Sequence, residues 1–278
     1  MILQTAVGKN IYTKGVKIGN YVEDRKLEES KIDEFLEKKD KGDLSTLRTH
    51  EIIVHSRQKA TLSCIKEDEY LRFGDMVLLQ SFTTHGVLSS DFGDEISVDE
   101  KQRTFAVTTS STLTPQLRNV FVIERPNEED LMPDDLLNDV LHYGQNFCLR
   151  AHPNYTTTPY YLSSVIVTPQ LSSRFSRQQL VFLTDVKSYH CCWRLLHKDP
   201  LMRDETDGEP VKAENPDGSQ TRYIVTHSHS GIHLAADNIL YANIFGNEKE
   251  VFCKRDLDHH RAETEKNHWG FIVRRKGE

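Results

Sequence analysis

The chain has 278 residues, of which 37% are hydrophobic and 28% charged, and its formal net charge is -7. That length allows one large domain or two small ones with a sizeable core, and the acidic balance argues against nucleic acid as the main partner, because phosphate binding needs a basic face. No apolar run approaches the roughly 18 residues that span a bilayer, and the N-terminus lacks a charged segment followed by a long apolar one, so neither membrane insertion nor secretion is expected.

The N-terminal stretch reads as an arm followed by a helix, residues 1–50. "YTKGVKIGN", residues 12–20, has two glycines and no helical period, which predicts an extended arm over residues 8–21. Asn20, with Glu23 three positions later, has the form of a capping box that opens a helix over 21–41. Glu23 and Asp24 suit the positive end of such a helix, Lys38, Lys39 and Lys41 the negative end, and Gly42 the stop. Tyr21, Ile32, Phe35 and Leu36 form a narrow apolar stripe between charged faces, fit either to dock on the chain's own domain or to reach a partner.

From about residue 60 short strands take over: "ATLSCI", "MVLLQSF", "TFAVTTS", "NVFVIE", "NFCLRA", "LVFLTD", "YIVTHS" and "WGFIVR". One short helix is expected at "PDDLLNDVL", residues 133–141. Residues 124–139 and 199–217, acidic and containing proline, read as surface loops, with a hairpin-type turn at Asp217-Gly218.

Repetition organises these strands. "YLRFGDMVLL", residues 70–79, returns as "VLHYGQNFCL", residues 140–149. Leu88-Ser89-Ser90, Leu162-Ser163-Ser164 and Leu234-Ala235-Ala236 recur at 72 to 74 residues, and Phe121-x-Ile123, Trp193-x-Leu195 and Trp269-x-Phe271 at 72 to 76. Two independent markers thus define three units, about 60–125, 126–198 and 199–278, although the third lacks the aromatic-Gly phrase. Three all-β units of this length predict a β-trefoil over residues 60–278, with the repeated aromatics and leucines in its core.

Chemistry-bearing residues are sparse. His227 and His229, two apart on a strand, would face one side and resemble the HxH pair of cupin-type enzymes, but the carboxylate that should follow is missing and His233 stands beyond. No metal or other cofactor is expected. His190-Cys191-Cys192 superficially suggests a thiol nucleophile, yet it immediately precedes the Trp193 marker, so burial is the simpler reading. The five cysteines, Cys64, Cys148, Cys191, Cys192 and Cys253, are an odd number with no CxxC pair, and read as small buried hydrophobes in a reducing compartment. The carboxylates read as a solvated surface, on loops and on the helix.

"GVKIGNYVEDRKLEE" and "DEFLEKKDKGDL", followed in order by the two aromatic-Gly phrases, "YYLSS", "VFLTDVKSYHCCW", "HSHSGIHLAAD" and "NHWGFIVR", resemble the cilia- and flagella-associated protein 161 family over nearly the whole chain. Tyr21 stands where that family's pattern has Trp. The aromatic-Gly and Leu-Ser-Ser phrases resemble the wider group of MIR-type trefoils. The resemblance implies a microtubule inner protein of motile cilia, held in the lumen of the doublet's A-tubule by tubulin and neighbouring luminal proteins, with no catalysis. Lys14, Gly15, Val16, Lys17, Ile18, Gly19, Asn20 and Tyr21 are then the candidate partner-binding residues, and the lysines of the arm and of residues 38–41 could meet acidic tubulin surfaces. Two other readings stand beside it: a trefoil carbohydrate-binding module, which needs an exposed aromatic beside a carboxylate or amide cluster, and a cupin-like metalloenzyme using His227 and His229.

Overall fold

The computed structural model describes residues 18–42, 44–66, 68–99, 101–127, 139–213 and 220–274. The chain forms two compact units, Met1–Glu51 and Ile52–Glu278.

In the first unit, helix α1 runs Ile18–Asp40, one turn earlier than the sequence predicts. Gly19 and Asn20 therefore lie in the first turn, not in an extended arm or at a cap. Glu23 and Asp24 fall in the second turn, further from the positive end. Weak helix formers cost least in the first turn, whose N–H groups have no intrahelical acceptor anyway. The C-terminal end is as expected: Gly42 has φ +71°, and its amide donates to Lys39 O at 3.1 Å while Lys41 N donates to Glu37 O at 3.0 Å. A second helix, α2 (Ser45–Ser56), is not foreseen in the sequence. Its last turn belongs to the second unit, where the His55 ring contacts Tyr155 and Ser56 is fully buried.

The second unit is mostly β, with twelve strands among the described residues. They run β1 Met76–Ser81, β2 Val87–Glu95, β3 Thr104–Ser110, β4 Phe121–Glu124, β5 Cys148–Ala151, β6 Tyr161–Ser164, β7 Gln179–Thr184, β8 Trp193–His197, β9 Tyr223–His227, β10 Leu234–Asn243, β11 Gly246–Cys253 and β12 His268–Ile272. A one-turn helix, α3 (Arg203–Thr206), follows β8. "ATLSCI" is not a strand: an isolated bridge from Cys64 to Arg274 and hydrogen bonds between Ser63 and Met76 tie it to the sheet.

Pairing sorts the strands into two sets. β1 pairs with β4, β4 with β5, β8 with β9, β9 with β12 and β12 with β1, all antiparallel. The Phe147–Trp193 bridge links the start of β5 to β8, so the pairing returns on itself. The other six strands form the hairpins β2–β3, β6–β7 and β10–β11, and β3, β7 and β11 each pair with the other two. No hydrogen-bonding edge of these inner strands is left open, which removes the liability of an exposed edge.

The repeat markers occupy matching places. Phe121, Trp193 and Trp269 lie at or next to the start of β4, β8 and β12 and are fully buried, as are Leu88, Leu162 and Leu234 on β2, β6 and β10. Each indole N–H donates to the marker leucine of its own third, Trp193 Nε1 to Leu162 O at 2.9 Å and Trp269 Nε1 to Leu234 O at 3.0 Å. The bulky ring thus fills the core without leaving an unpaired donor.

The aromatic-Gly phrase makes a turn. Gly74 and Gly144 have φ +93° and +77°, a region that disfavours any residue with a Cβ. Their amides donate to Ile123 O and Leu195 O, matching residues of the closing marker. Leu71, Leu141 and Val211, all fully buried, join in a cycle: Leu71 N to Val211 O at 2.9 Å, Val211 N to Leu141 O at 2.8 Å, and Leu141 N to Leu71 O at 2.9 Å. Pro210-Val211-Lys212 thus takes the third place in this cycle. Its residues do not form the surface loop read from composition, because Val211 and Ala213 are fully buried. Val140 and Leu141, expected in a helix, lie in an extended segment of this cycle, while residues 133–138 and the Asp217-Gly218 turn lie outside the described residues.

Candidate interaction surfaces

Of the candidate partner-binding residues, Lys14, Gly15, Val16 and Lys17 lie outside the described residues; Ile18, Gly19 and Asn20 form the first turn of α1, and Tyr21 follows them on the helix. Around 100° per residue, Tyr21, Ile32, Phe35 and Leu36 fall on one arc with Val22, and each of the five is 45–50% exposed. The opposite faces carry exposed ion pairs four residues apart, Glu34–Lys38 at 2.6 Å and Glu37–Lys41 at 2.5 Å. Those pairs alter the expectation for the lysine tract: Lys38 and Lys41 are already neutralised within the helix. What α1 offers a partner is a bare apolar stripe on a charged rod.

His227 and His229 do not share a strand face, although the ring centroids of His190, His227 and His229 stand 4.3 to 6.5 Å apart. β9 ends at His227, so the alternation that would put His227 and His229 on one face stops between them. His227 is fully buried and both ring nitrogens are engaged: Nε2–H donates to His190 O at 2.9 Å, and Nδ1 lies 2.9 Å from Ser230 Oγ. Burial pushes its pKa down to about 4, which keeps it neutral. His229 is exposed in the following turn, its ring 4.3 Å from that of His190. His233 is buried elsewhere, with Nδ1 2.9 Å from Thr226 Oγ1 and Nε2 3.0 Å from Glu263 Oε1. Among the described residues no three His, Cys, Asp or Glu side chains are grouped to hold a metal ion. The cupin-like constellation is not formed.

Cys148, Cys191, Cys192 and Cys253 are buried free thiols, and Cys64 is exposed, contrary to the expectation for all five. A hydrogen bond with Cys192 and burial push the Cys148 thiol up, and burial, with a smaller contribution from Cys192, raises Cys191, so neither is poised as a nucleophile. His190 Nδ1 is buried and makes no hydrogen bond to the adjacent thiol.

The carboxylates, read as mainly a solvated surface, include buried exceptions. Glu248 is buried and grips Arg118 with both oxygens, at 2.7 and 2.9 Å, while accepting from Thr108 Oγ1 and Asn243 Nδ2. Burial would raise the Glu263 pKa, but hydrogen bonds from His233 and from both arms of Arg203 bring it down to about 2. Asp91, at a bulge in β2, is fully buried; its Oδ1 accepts from Gly93 N at 2.9 Å and its Oδ2 has no partner, so burial pushes it up to about 6. No local signal marks Glu248 or Glu263, because their arginine partners lie 130 and 60 residues away in the chain.

The second unit resembles solved structures. An SDF2-like protein from Arabidopsis thaliana superposes with a TM-score of 0.54 at 15% identity, covering 75% of this chain and 99% of that one. A Caenorhabditis elegans protein of unknown function gives 0.53 at 13%, covering 75% and 98%. At such identities the likeness speaks to the fold alone. Sequence comparison decides the family: the cilia- and flagella-associated protein 161-like domain matches residues 48–274. The chain belongs to the cilia- and flagella-associated protein 161 family. Relatives of that name are 34% identical in Bos taurus, over 96% of this chain and 84% of the relative, and 31% identical in Mus musculus, over 96% and 89%. Membership associates the chain with cilia and flagella. Among the described residues no helix is long and apolar enough to cross a membrane.

Proposed function

We propose that this member of the cilia- and flagella-associated protein 161 family is a structural microtubule inner protein of the axoneme. It binds tubulin and neighbouring luminal proteins inside the doublet, in the A-tubule, and stabilises the doublet for ciliary motility without catalysis. Its body in this reading is a MIR-like β-trefoil of three pseudo-repeats. The matched indole–leucine bonds and the cyclic bonds through Leu71, Leu141 and Val211 support the threefold reading.

The observation that carries the function is α1. It is a 23-residue helix that carries Ile32, Phe35 and Leu36 on an apolar stripe that is half exposed. On a repeating lattice such a helix and the segment before it need only weak contacts, because the bound body supplies a high effective concentration. The second unit, fully buried at its core, serves as the rigid filler.

Deletion of residues 1–45 tests this reading. The remaining chain should fold and show the full-length protein's near-UV spectrum, but should be lost from doublets or occupy them at reduced level. Normal incorporation of the truncated chain would assign targeting to the β body and refute the role given to α1. Turnover of any substrate by the full-length protein would count against a purely structural role.

A further inference from the structure

β3, β7 and β11 meet where the three hairpins converge. The registers Ala106↔Phe182, Glu250↔Thr108 and Phe252↔Leu180 bring Val107, Val181 and Val251 side by side. These three buried valines help line a cavity of about 300 Å³. Around it stand Asp94, Glu95 and Glu250 with a single guanidinium, that of Arg174.

The polar groups of this rim are built. The Tyr241 hydroxyl donates to Asp94 Oδ2 at 2.6 Å, and Arg174 Nη1 lies 3.4 Å from both groups. Glu250, buried, accepts from the amides of Phe175 and Ser176 at 2.8 Å each and so fixes the loop over the cavity. Glu95 is exposed, with Arg103 3.6 Å away. Phe175 packs edge-on against Tyr241 at 5.6 Å yet remains 50% exposed.

We propose that this cavity is a socket for a partner protein's apolar side chain flanked by arginine or lysine. The valines accept an aliphatic tip, and their methyl groups offer nothing to a polar one. The surplus of carboxylate over guanidinium attracts cations on either side of that tip and repels an acidic surface. Phe175 extends the apolar contact beyond the mouth. The socket thus selects a basic segment. It rests on the proposed ciliary role only for where that partner is met.

The test titrates the full-length chain, 13C-labelled at its valine methyls, with two blocked tripeptides, Arg-Leu-Arg and Glu-Leu-Glu. The inference expects Arg-Leu-Arg to shift the methyls of Val107, Val181 and Val251 saturably and Glu-Leu-Glu to leave them unmoved. Glu95→Gln, an exposed change, should weaken binding by about three- to tenfold at low salt, with a smaller effect at high salt. Ser172→Trp, which places an indole in the loop lining the cavity, should abolish it. No shift, equal shifts with both peptides, or a shift that survives Ser172→Trp in a folded protein would overturn the socket. So would the same methyls responding to a mannose oligosaccharide in place of Arg-Leu-Arg, or their shifting only through self-association. Peptide binding by a chain that never enters doublets would leave the socket standing and remove the proposed role; the converse result would do the opposite.

Discussion

α1 and the β unit obey opposite rules. In α1 every side chain described from Tyr21 to Asp40 is exposed except the half-buried Asp24, the large apolar residues included. In the β unit Phe121, Trp193 and Trp269 are fully buried, and the two indoles are hydrogen-bonded as well. The contrast separates two kinds of constraint. The β unit's residues are fixed by their own packing, whereas the apolar stripe of α1 is half exposed.

The largest expected effect breaks this contrast directly. Trp193→Ala or Trp269→Ala should cost about 3–5 kcal/mol in denaturant unfolding, since each leaves a cavity and removes a buried hydrogen bond. Phe35→Ala, an aromatic truncation on α1, should change the same measurement by less than about 0.5 kcal/mol. If Phe35→Ala costs as much as either Trp change, α1 is held by its own chain and the contrast fails.

A second prediction sharpens the description of the β unit. Glu248→Ala strands the Arg118 guanidinium in the interior and should destabilise by about 3 kcal/mol, whereas the double change Arg118→Met with Glu248→Leu should recover most of that loss. Equal losses in the single and double variants would mean that the pair's charge is not what matters.

Asp91 gives a smaller effect with a definite sign. Its folded pKa, about 6, lies above the ordinary 3.8, so the folded state holds the proton more tightly. Its contribution is therefore greatest at low pH and is lost as pH rises from about 4 through about 6, by on the order of 1–3 kcal/mol. Glu263 works the other way: its folded pKa of about 2 gives stability that is present above pH 4.5 and lost as pH falls toward 2. Asp91→Asn keeps an acceptor for Gly93 N and cannot ionise. The gain it gives over the parent chain should be larger at pH 7 than at pH 4, and chemical denaturation at the two pH values would detect the reverse.

The smallest effect on stability carries the largest functional consequence. Ile32→Asp with Phe35→Asp should leave the unfolding midpoint of the isolated protein nearly unchanged while lowering its occupancy in doublets, as quantified by mass spectrometry of purified axonemes.

Much of this was legible in the sequence, for a physical reason: a core position repeated three times is read three times. The leucine and tryptophan markers sit where their spacing put them. Val211 was missed because the third place in the cycle keeps only the buried residue, and the Gly of the turn has no counterpart in the described residues. β10 and β11 were missed because their outer halves, around Asn243 to Glu248, carry polar side chains on a projecting hairpin. α2 was hidden by Ile52, Ile53 and Val54, β-branched residues that tertiary packing holds in a helix. The expected strand pairing of His227 with His229 failed because β9 ends at His227, although the two rings remain 6.1 Å apart. Buried Glu248 and Glu263 were illegible for want of any local signal.

The central claim is that α1's apolar stripe is covered inside the doublet. A cryo-EM map of native doublets from cells expressing this chain tests it most directly. The account predicts density for the β unit in the A-tubule lumen, with Ile32, Phe35 and Leu36 buried against tubulin or a neighbouring luminal protein. A chain absent from the lumen, or one bound there with that stripe still facing solvent, would contradict it.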